Sequence, residues 1–236
     1  METTKTTLDG QMAPASSTEL TDRALAGWEI VSVASSIVIA EWMLASAAGF
    51  RTAIIAVPVA LAFLLIVLSH RVRGETFYQM GFRLDNVFAA LYKLIAPVMA
   101  VCVACLIVGW RLGSSIDFLR WHPKRYLALQ LTLGFFWALA QQYVLQGFFN
   151  RRAMISLGRG WRSVLVVALV FGLLHLPNLW VTIITLFAGA VWAAVYQRAP
   201  NLFALAITHS VMTWFIVSTL PPASLHHLRV GLGYFF

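Results

Sequence analysis

The sequence contains few charged residues. Only 11% of its 236 residues are Asp, Glu, Lys or Arg, whereas a soluble domain typically has about 25%. Hydrophobic residues make up 60% of the chain. So few charges cannot cover the surface of a water-soluble globule, although they suit a protein that is solvated largely by lipid. The composition therefore disfavours a soluble enzyme or a soluble binding domain.

Cysteine is also scarce. Cys102 and Cys105 both lie inside an apolar run, which favours packing residues over a redox or metal pair and gives no disulfide framework. The net charge of +8 comes from Lys and Arg residues that lie mainly between apolar segments. Basic residues in such positions normally set the orientation of membrane spans and contact anionic headgroups. We therefore predict a lipid bilayer as the partner of these residues and no nucleic acid.

Long apolar runs dominate the rest of the chain. A bilayer core is about 30 Å thick, so a spanning helix needs about 20 mostly apolar residues. Continuous runs favour helices over the alternating strands of a barrel. The runs cover residues 27–50, 52–69, 87–110, 126–149, 163–176, 178–196 and 201–220. The predicted fold is therefore all-α, a polytopic transmembrane helical bundle of about seven spans, in which Pro177 ends the fifth helix.

The sequence predicts one transmembrane helical domain, residues 25–220, between a disordered N-terminal tail of residues 1–24 and a C-terminal tail of residues 221–236. The N-terminal tail is too polar and acidic for a cleaved signal peptide. With the N-terminus in the cytosol, ten Lys and Arg residues would lie inside and six outside. This bias favours a cytosolic N-terminus, and we predict an integral protein of a bacterial plasma (inner) membrane.

Several polar residues lie inside the predicted spans, where such groups usually face a bundle interior or a water-filled cavity. Glutamines four apart on a helix share a face. The glutamines are compatible with interhelical hydrogen bonds or with a polar cavity, and two histidines on separate spans favour the cavity. The residues are Glu41 in the first run, Gln141, Gln142 and Gln146 in the fourth, His175 in the fifth with Asn178 after it, and His209 and Thr213 in the seventh.

The order and spacing of these residues resemble the CPBP intramembrane proteases, which include the type II CAAX prenyl endopeptidases and the bacteriocin-processing or Abi proteins. The family motif Glu-Glu-x-x-x-Arg corresponds to residues 141–146, and Phe-x-x-x-His corresponds to Phe171 and His175. The third motif, His followed four residues later by Asn, corresponds to His209 and Thr213. The resemblance covers a core of residues 126–219. It implies catalytic positions at Gln141, Gln142, His175 and His209, and binding positions at Gln146, Asn178, Thr213 and Glu41.

The first motif departs from the family pattern. In the family, the glutamate is thought to activate water, while the histidines and the Asn bind water and the oxyanion. A neutral amide cannot take a proton from water, so Gln142 is no general base. Glutamine is also a poor metal ligand, so the family's metal dependence is not carried over and no cofactor is predicted. Gln146 replaces the arginine, which makes physical sense because loss of the carboxylates alone would strand a buried cation.

Three functions follow from these residues. The first is a CPBP-type protein with a neutralised proteolytic site, which binds a membrane segment or lipidated peptide without cutting it or cuts it slowly. The second is an active intramembrane endopeptidase that uses His175 or His209 as the base, or Glu41 as the missing carboxylate. The third is a transporter or an accessory membrane subunit, although no internal repeat or pair of broken helices supports transport strongly. The first two predict that Gln142, His175 and His209 converge on one buried polar cavity.

Overall fold

The computed structural model describes residues 16–44, 52–120 and 126–235, and all regular elements within these ranges are helical. This confirms the predicted all-α fold. The elements are α1 (Ser17–Val38, continued by a π-helical segment, Ile39–Leu44), α2 (Thr52–Val72), α3 (Phe77–Met80), α4 (Val87–Arg111), α5 (Leu127–Gln142, continued by a π-helical segment, Tyr143–Asn150), α6 (Arg151–Leu157), α7 (Trp161–Leu173), α8 (Leu179–Arg198), α9 (Leu202–Thr219), α10 (Pro222–Leu225), and two 3₁₀ turns, His226–Leu228 and Gly231–Phe235.

Each predicted span falls on a helix, and residues 45–50 of the first lie outside the described ranges. Large apolar side chains on these helices are exposed, as expected of a protein that is solvated by lipid and lies in a bilayer. By length and composition, the described helices that can cross a membrane are Ser17–Trp42, Val87–Arg111, Leu179–Arg198 and Leu202–Thr219, while Ala56–Val72 and Trp161–Leu173 are shorter apolar helices.

Two helix ends differ from the predicted limits of the apolar runs. The Ser16 hydroxyl accepts a hydrogen bond from the Glu19 backbone N–H at 3.2 Å and caps α1, so residues 17–24 are helical rather than part of the predicted disordered tail. α7 ends at Leu173, and a turn leads from there to Pro177. An early end fits a following proline, because proline disfavours helical geometry in the residue before it.

Glycines allow α7 and α8 to pack closely. A Cβ atom at Gly189 would lie 3.2 Å from the Cα of Ala168, and one at Gly172 would lie 3.2 Å from the Cβ of Leu186. Either distance is too short for a larger residue without movement of the neighbour. The close approach places residues of both helices beside α9, where the candidate site lies.

The segment between α2 and α4 is held against the turn that joins α8 and α9. The Leu202 N–H donates to the Gly81 carbonyl at 2.9 Å, and the Tyr196 hydroxyl donates to the Met80 carbonyl at 2.8 Å. The Asn201 side chain donates to the Arg83 carbonyl at 2.7 Å. These bonds fix one end of the bundle, where helices enter and leave the membrane.

A buried ion-pair cluster lies at the same end. The Arg152 side chain is fully buried and contacts Glu29 at 2.9 Å, Glu75 at 2.8 Å and the Ser69 hydroxyl at 2.9 Å. Arg151 also donates to Glu75, at 2.5 Å. The cluster therefore ties α1, the end of α2 and the start of α6 together through charge-assisted hydrogen bonds.

Charged neighbours keep the Glu75 carboxylate ionised. Burial acts to raise the pKa of Glu75, but hydrogen bonds from His70 and Arg152, together with the charge of Arg152, outweigh burial and hold this pKa well below its usual value. The His70 Nδ1 lies 2.5 Å from a Glu75 oxygen. The carboxylate thus stays charged throughout the neutral and mildly acidic range.

Candidate functional site

The end of α5 meets α9 through a glutamine and a histidine. The Nε2 atom of Gln142 lies 3.4 Å from the Nδ1 atom of His209. Gln142 is fully buried, whereas His209 is partly exposed. In this orientation of the amide, the Gln142 nitrogen donates to Nδ1 of His209, which corresponds to the neutral imidazole with its proton on Nε2.

His175 joins this pair through a shared aromatic ring. The Phe171 ring lies 4.8 Å from the His175 ring and 6.0 Å from the His209 ring, measured between centroids. The two imidazoles are therefore no farther apart than the sum of these distances. The His175 Nδ1–H donates to the Phe171 carbonyl at 2.6 Å, which leaves Nε2 of His175 as its acceptor atom. The structure thus brings together Gln142, His175 and His209.

A tryptophan completes the wall of the site. The Trp192 ring lies 4.6 Å from the His209 ring at an angle of 36°, and 6.1 Å from the Phe171 ring. The sequence analysis assigns Trp192 no role. A tryptophan within an apolar helix gives no signal of its own, because most such residues are packing or interface residues.

A π-helical segment separates the motif glutamines. The helix changes from α to π geometry directly after Gln142, and a π-helix closes its turns over five residues instead of four. The two glutamines have different partners, although the sequence predicted a shared face: Gln142 contacts His209, whereas Gln146 contacts Asn150.

Gln146 belongs to a separate buried network. Its Oε1 atom accepts from the Asn150 side chain at 2.8 Å, and the Asn150 Oδ1 atom accepts from Gln197 at 3.0 Å. Gln197 also donates to the Ser163 hydroxyl at 2.9 Å. The network links α5 with α7 and α8 through neutral groups alone, and sequence analysis assigned no role to Asn150, Gln197 or Ser163.

The remaining polar positions lie at the edge of the site. Asn178 caps α8 by accepting from the Val181 N–H at 3.3 Å, and it donates to the carbonyls of Leu225 at 2.8 Å and Arg229 at 3.1 Å. It therefore anchors the C-terminal segment. Gln141 and Thr213 are half-buried, and within the described ranges no hydrogen bond joins their side chains to the central three residues.

Glu41 lies against the C-terminal segment. A Cβ atom at Gly231 would lie 3.0 Å from the Cβ of Glu41, and Gly231 has a φ of +56°, which favours glycine. The Gly231 N–H donates to the carbonyl of Leu176, the neighbour of His175, at 2.7 Å. One carboxylate oxygen of Glu41 is buried and has no hydrogen-bond partner among the described residues.

The donor set does not fit a zinc site. Zinc in proteins is held by thiolates, imidazoles and carboxylates, usually three or four of them. The site offers two imidazoles and a neutral amide, and the described residues contain no group of three His, Cys, Asp or Glu side chains suited to a metal ion. The arrangement can donate and accept hydrogen bonds, but no carboxylate of the described residues forms a hydrogen bond or ion pair with His175 or His209.

Comparison with known proteins covers this same region. Residues 123–215 match the family model of type II CAAX prenyl endopeptidase Rce1-like proteins. The match extends from just before α5 into α9 and includes Gln142, His175 and His209. It confirms the recognition of the CPBP and CAAX protease family from the three motifs. No curated protein and no solved structure gives a significant match to the chain.

Proposed function

We propose that this membrane protein of the CAAX protease family binds a membrane segment or lipidated peptide at Gln142, His175 and His209 without cutting it efficiently. The family match and the apolar helices support an integral membrane protein of the CAAX protease type. The loss of efficient cleavage and the nature of the bound peptide are our proposal. We also propose that the protein lies in a bacterial plasma membrane with its N-terminus in the cytosol.

The observation that carries the proposal is the contact between the Gln142 amide and His209. A carboxylate in this position could take a proton from water, whereas an amide cannot. The amide fixes the tautomer of His209 with the proton on Nε2, so this histidine acts as a hydrogen-bond donor. Such a donor suits the binding of a peptide carbonyl or an oxyanion, but it does not generate a nucleophile.

His175 is a weak candidate for the missing base. Its Nε2 atom is free to accept a proton, but its Nδ1–H is held by the neutral carbonyl of Phe171. In hydrolases that use histidine as a base, a buried carboxylate commonly orients the ring and stabilises the imidazolium that forms. A carbonyl orients the ring without supplying a compensating negative charge. Slow hydrolysis or none is therefore expected.

The site still has capacity to bind a peptide. The Oε1 atom of Gln142 is buried and lacks a hydrogen-bond partner among the described residues. An unsatisfied buried acceptor costs about 1–3 kcal/mol, so a ligand that supplies a donor regains part of that cost. A peptide N–H is such a donor, and the aromatic wall of Phe171 and Trp192 offers apolar contact for the side chains beside it.

The test combines a cleavage assay with a binding assay on purified protein in detergent. We expect background cleavage of a fluorogenic prenylated peptide and measurable binding of the same peptide by fluorescence anisotropy. Gln142→Leu should weaken binding about tenfold, and Gln130→Leu, which removes a partly buried glutamine from the same helix, is the control. Equal effects of the two substitutions would argue against a specific role for Gln142.

Restoration of cleavage tests the reason for its absence. Gln142→Glu alone should restore little cleavage. It buries a carboxyl group without a cation beside it, and burial favours the neutral acid, which is a poor base. Gln141→Glu, Gln142→Glu and Gln146→Arg together should be needed for hydrolysis, since the arginine can pair with the new carboxylate. Cleavage by Gln142→Glu alone at the level of the triple variant would show that this account of the charge balance is wrong.

One observation favours the second function, an active endopeptidase. Glu41 has a buried carboxylate oxygen without a partner among the described residues, and Gly231 connects its backbone to the neighbour of His175. Robust cleavage by the unmodified protein that is lost on His175→Ala, on His209→Ala and on Glu41→Gln would replace our proposal with this function. It would also identify Glu41 as the carboxylate that the first motif lacks.

A further inference from the structure

A cavity lies away from the histidines, at one end of the bundle. It has a volume of about 300 Å³ and is open to the outside. This volume is at the lower end of the range of small-molecule sites. The cavity lies between α6, the end of α8 and the turn before α9. Among its lining residues are Arg151, Met154, Ile155, Arg159, Tyr196 and Pro200.

The helices around the cavity place it where lipid headgroups lie. α8 is a candidate span that ends at Arg198, and α9 is a candidate span that begins at Leu202. The turn between them must therefore lie near one surface of the bilayer, and Pro200 of this turn lines the cavity. The cavity thus faces the headgroup region rather than the hydrocarbon core.

The charge balance of the cavity is positive. Its one acidic residue, Glu75, already has partners on both carboxylate oxygens. Oε1 accepts hydrogen bonds from Arg151 and Arg152, and Oε2 accepts one from Arg152 and contacts His70. Arg159 is exposed, and it forms no ion pair with a carboxylate in the ranges that the structure describes. Its one hydrogen bond in these ranges goes from Nη2 to the carbonyl of Gln197. A guanidinium carries five N–H groups, so Arg159 keeps donors for a ligand.

From these observations we infer that the cavity is a binding site for a phosphate group, with Arg159 as the principal donor and Arg151 as the second cation. Guanidinium groups bind phosphate oxygens through paired hydrogen bonds. Met154, Ile155 and Pro200 give the cavity an apolar wall beside these cations. Cation and apolar wall together suit the phosphate and glycerol backbone of an anionic phospholipid, and free phosphate shares the same chemistry.

Native mass spectrometry of the full chain in detergent tests this site with two lipids, phosphatidylglycerol and phosphatidylcholine. We expect phosphatidylglycerol to bind at least tenfold more tightly, and Arg159→Gln to remove most of this preference. Arg159→Lys should retain part of it, because lysine keeps the charge without the planar fork. Arg162→Gln is the matched control, since Arg162 carries the same charge three residues away and does not line the cavity.

Inorganic phosphate separates the two sources of ligand. Displacement of phosphatidylglycerol by millimolar phosphate, with direct phosphate binding that Arg159→Gln abolishes, would assign the site to free phosphate; lipid binding that resists phosphate would assign it to the lipid. Equal binding of the two lipids without phosphate binding, or equal losses in Arg159→Gln and Arg162→Gln, would overturn the inference. Matching unfolding midpoints of the variants in lipid-free detergent would show that a loss of binding is not a loss of folding.

Discussion

Replacement of Arg152 is the most direct test of what holds the bundle together. The side chain is 0% exposed and contacts Glu75, whose side chain is 7% exposed, and Glu29, whose side chain is 19% exposed. Arg152→Met keeps the apolar stem but leaves both carboxylates without their shared partner. Removal of one member of a buried ion pair costs about 3–5 kcal/mol. We expect the lower end of this range, because Arg151 still contacts Glu75 and Arg73 still contacts Glu29.

The assay is thermal unfolding of the purified protein in detergent. For a chain of this size, 1 kcal/mol shifts the unfolding midpoint by about 2–4 °C, so a loss of about 3 kcal/mol lowers it by about 6–12 °C. Arg152→Lys should lower the unfolding midpoint less than Arg152→Met, since an ammonium group keeps the charge. It lacks the planar, forked donors with which the guanidinium contacts three partners at once. Arg71→Met, at an exposed arginine nearby, is the control and should shift the midpoint little. A midpoint for Arg152→Met equal to that of Arg71→Met would refute the reasoning.

Three further outcomes are expected. The pKa of Glu75 is lowered in the folded protein, so its contribution to stability is complete above the pKa of an unfolded glutamate and is lost as the pH falls below that value. The thermal unfolding midpoint should therefore decrease when the pH is lowered below about 4.3. This decrease should be smaller in Glu75→Gln. Asn201→Ala removes the cap of α9 and two bonds to the segment before α4, and it should cost about 2–3 kcal/mol, measured by the same assay. Arg159→Cys, in a background without the two native cysteines, should resist an impermeant thiol reagent added outside intact cells; ready labelling would reverse the predicted topology.

The sequence predicts the helices well because lipid imposes a simple rule on them. Backbone groups in a bilayer must be paired within the segment, so a long apolar run becomes a helix with little dependence on its neighbours. The apolar run predicts that the first helix begins at residue 27, whereas α1 begins at Ser17, because the first turns of this helix are polar. Ser16 and Glu19 give the spacing of a capping box, and the Ser16 hydroxyl does accept from the Glu19 N–H. That spacing is a local signal that hydropathy alone does not contain.

The ion-pair cluster could not be predicted in the same way. Glu29, the segment from Ser69 to Glu75, and Arg152 lie on three separate stretches of the chain and meet only when the helices pack. No periodicity within one stretch marks such a meeting. From the sequence alone, Arg151 and Arg152 are interpreted as ordinary basic residues of a loop between spans. The positive-inside rule accounts for basic residues in such a loop without any ion-pair partner. Only the tertiary structure separates the buried Arg152 from the exposed Arg159 and Arg162.

For the candidate site, the sequence predicted the meeting of Gln142, His175 and His209, but not the different partners of Gln142 and Gln146. Motif spacing fixes the position along the chain, whereas the direction of a side chain depends on local helix geometry. Gln146 lies in the π-helical segment that begins after Gln142, and it belongs to the neutral network of Asn150 and Gln197. A cation in place of Gln146 would need a negative partner, and this network has none. The amides at Gln142 and Gln146 therefore form a consistent pair, because charge on either one alone would be buried without compensation.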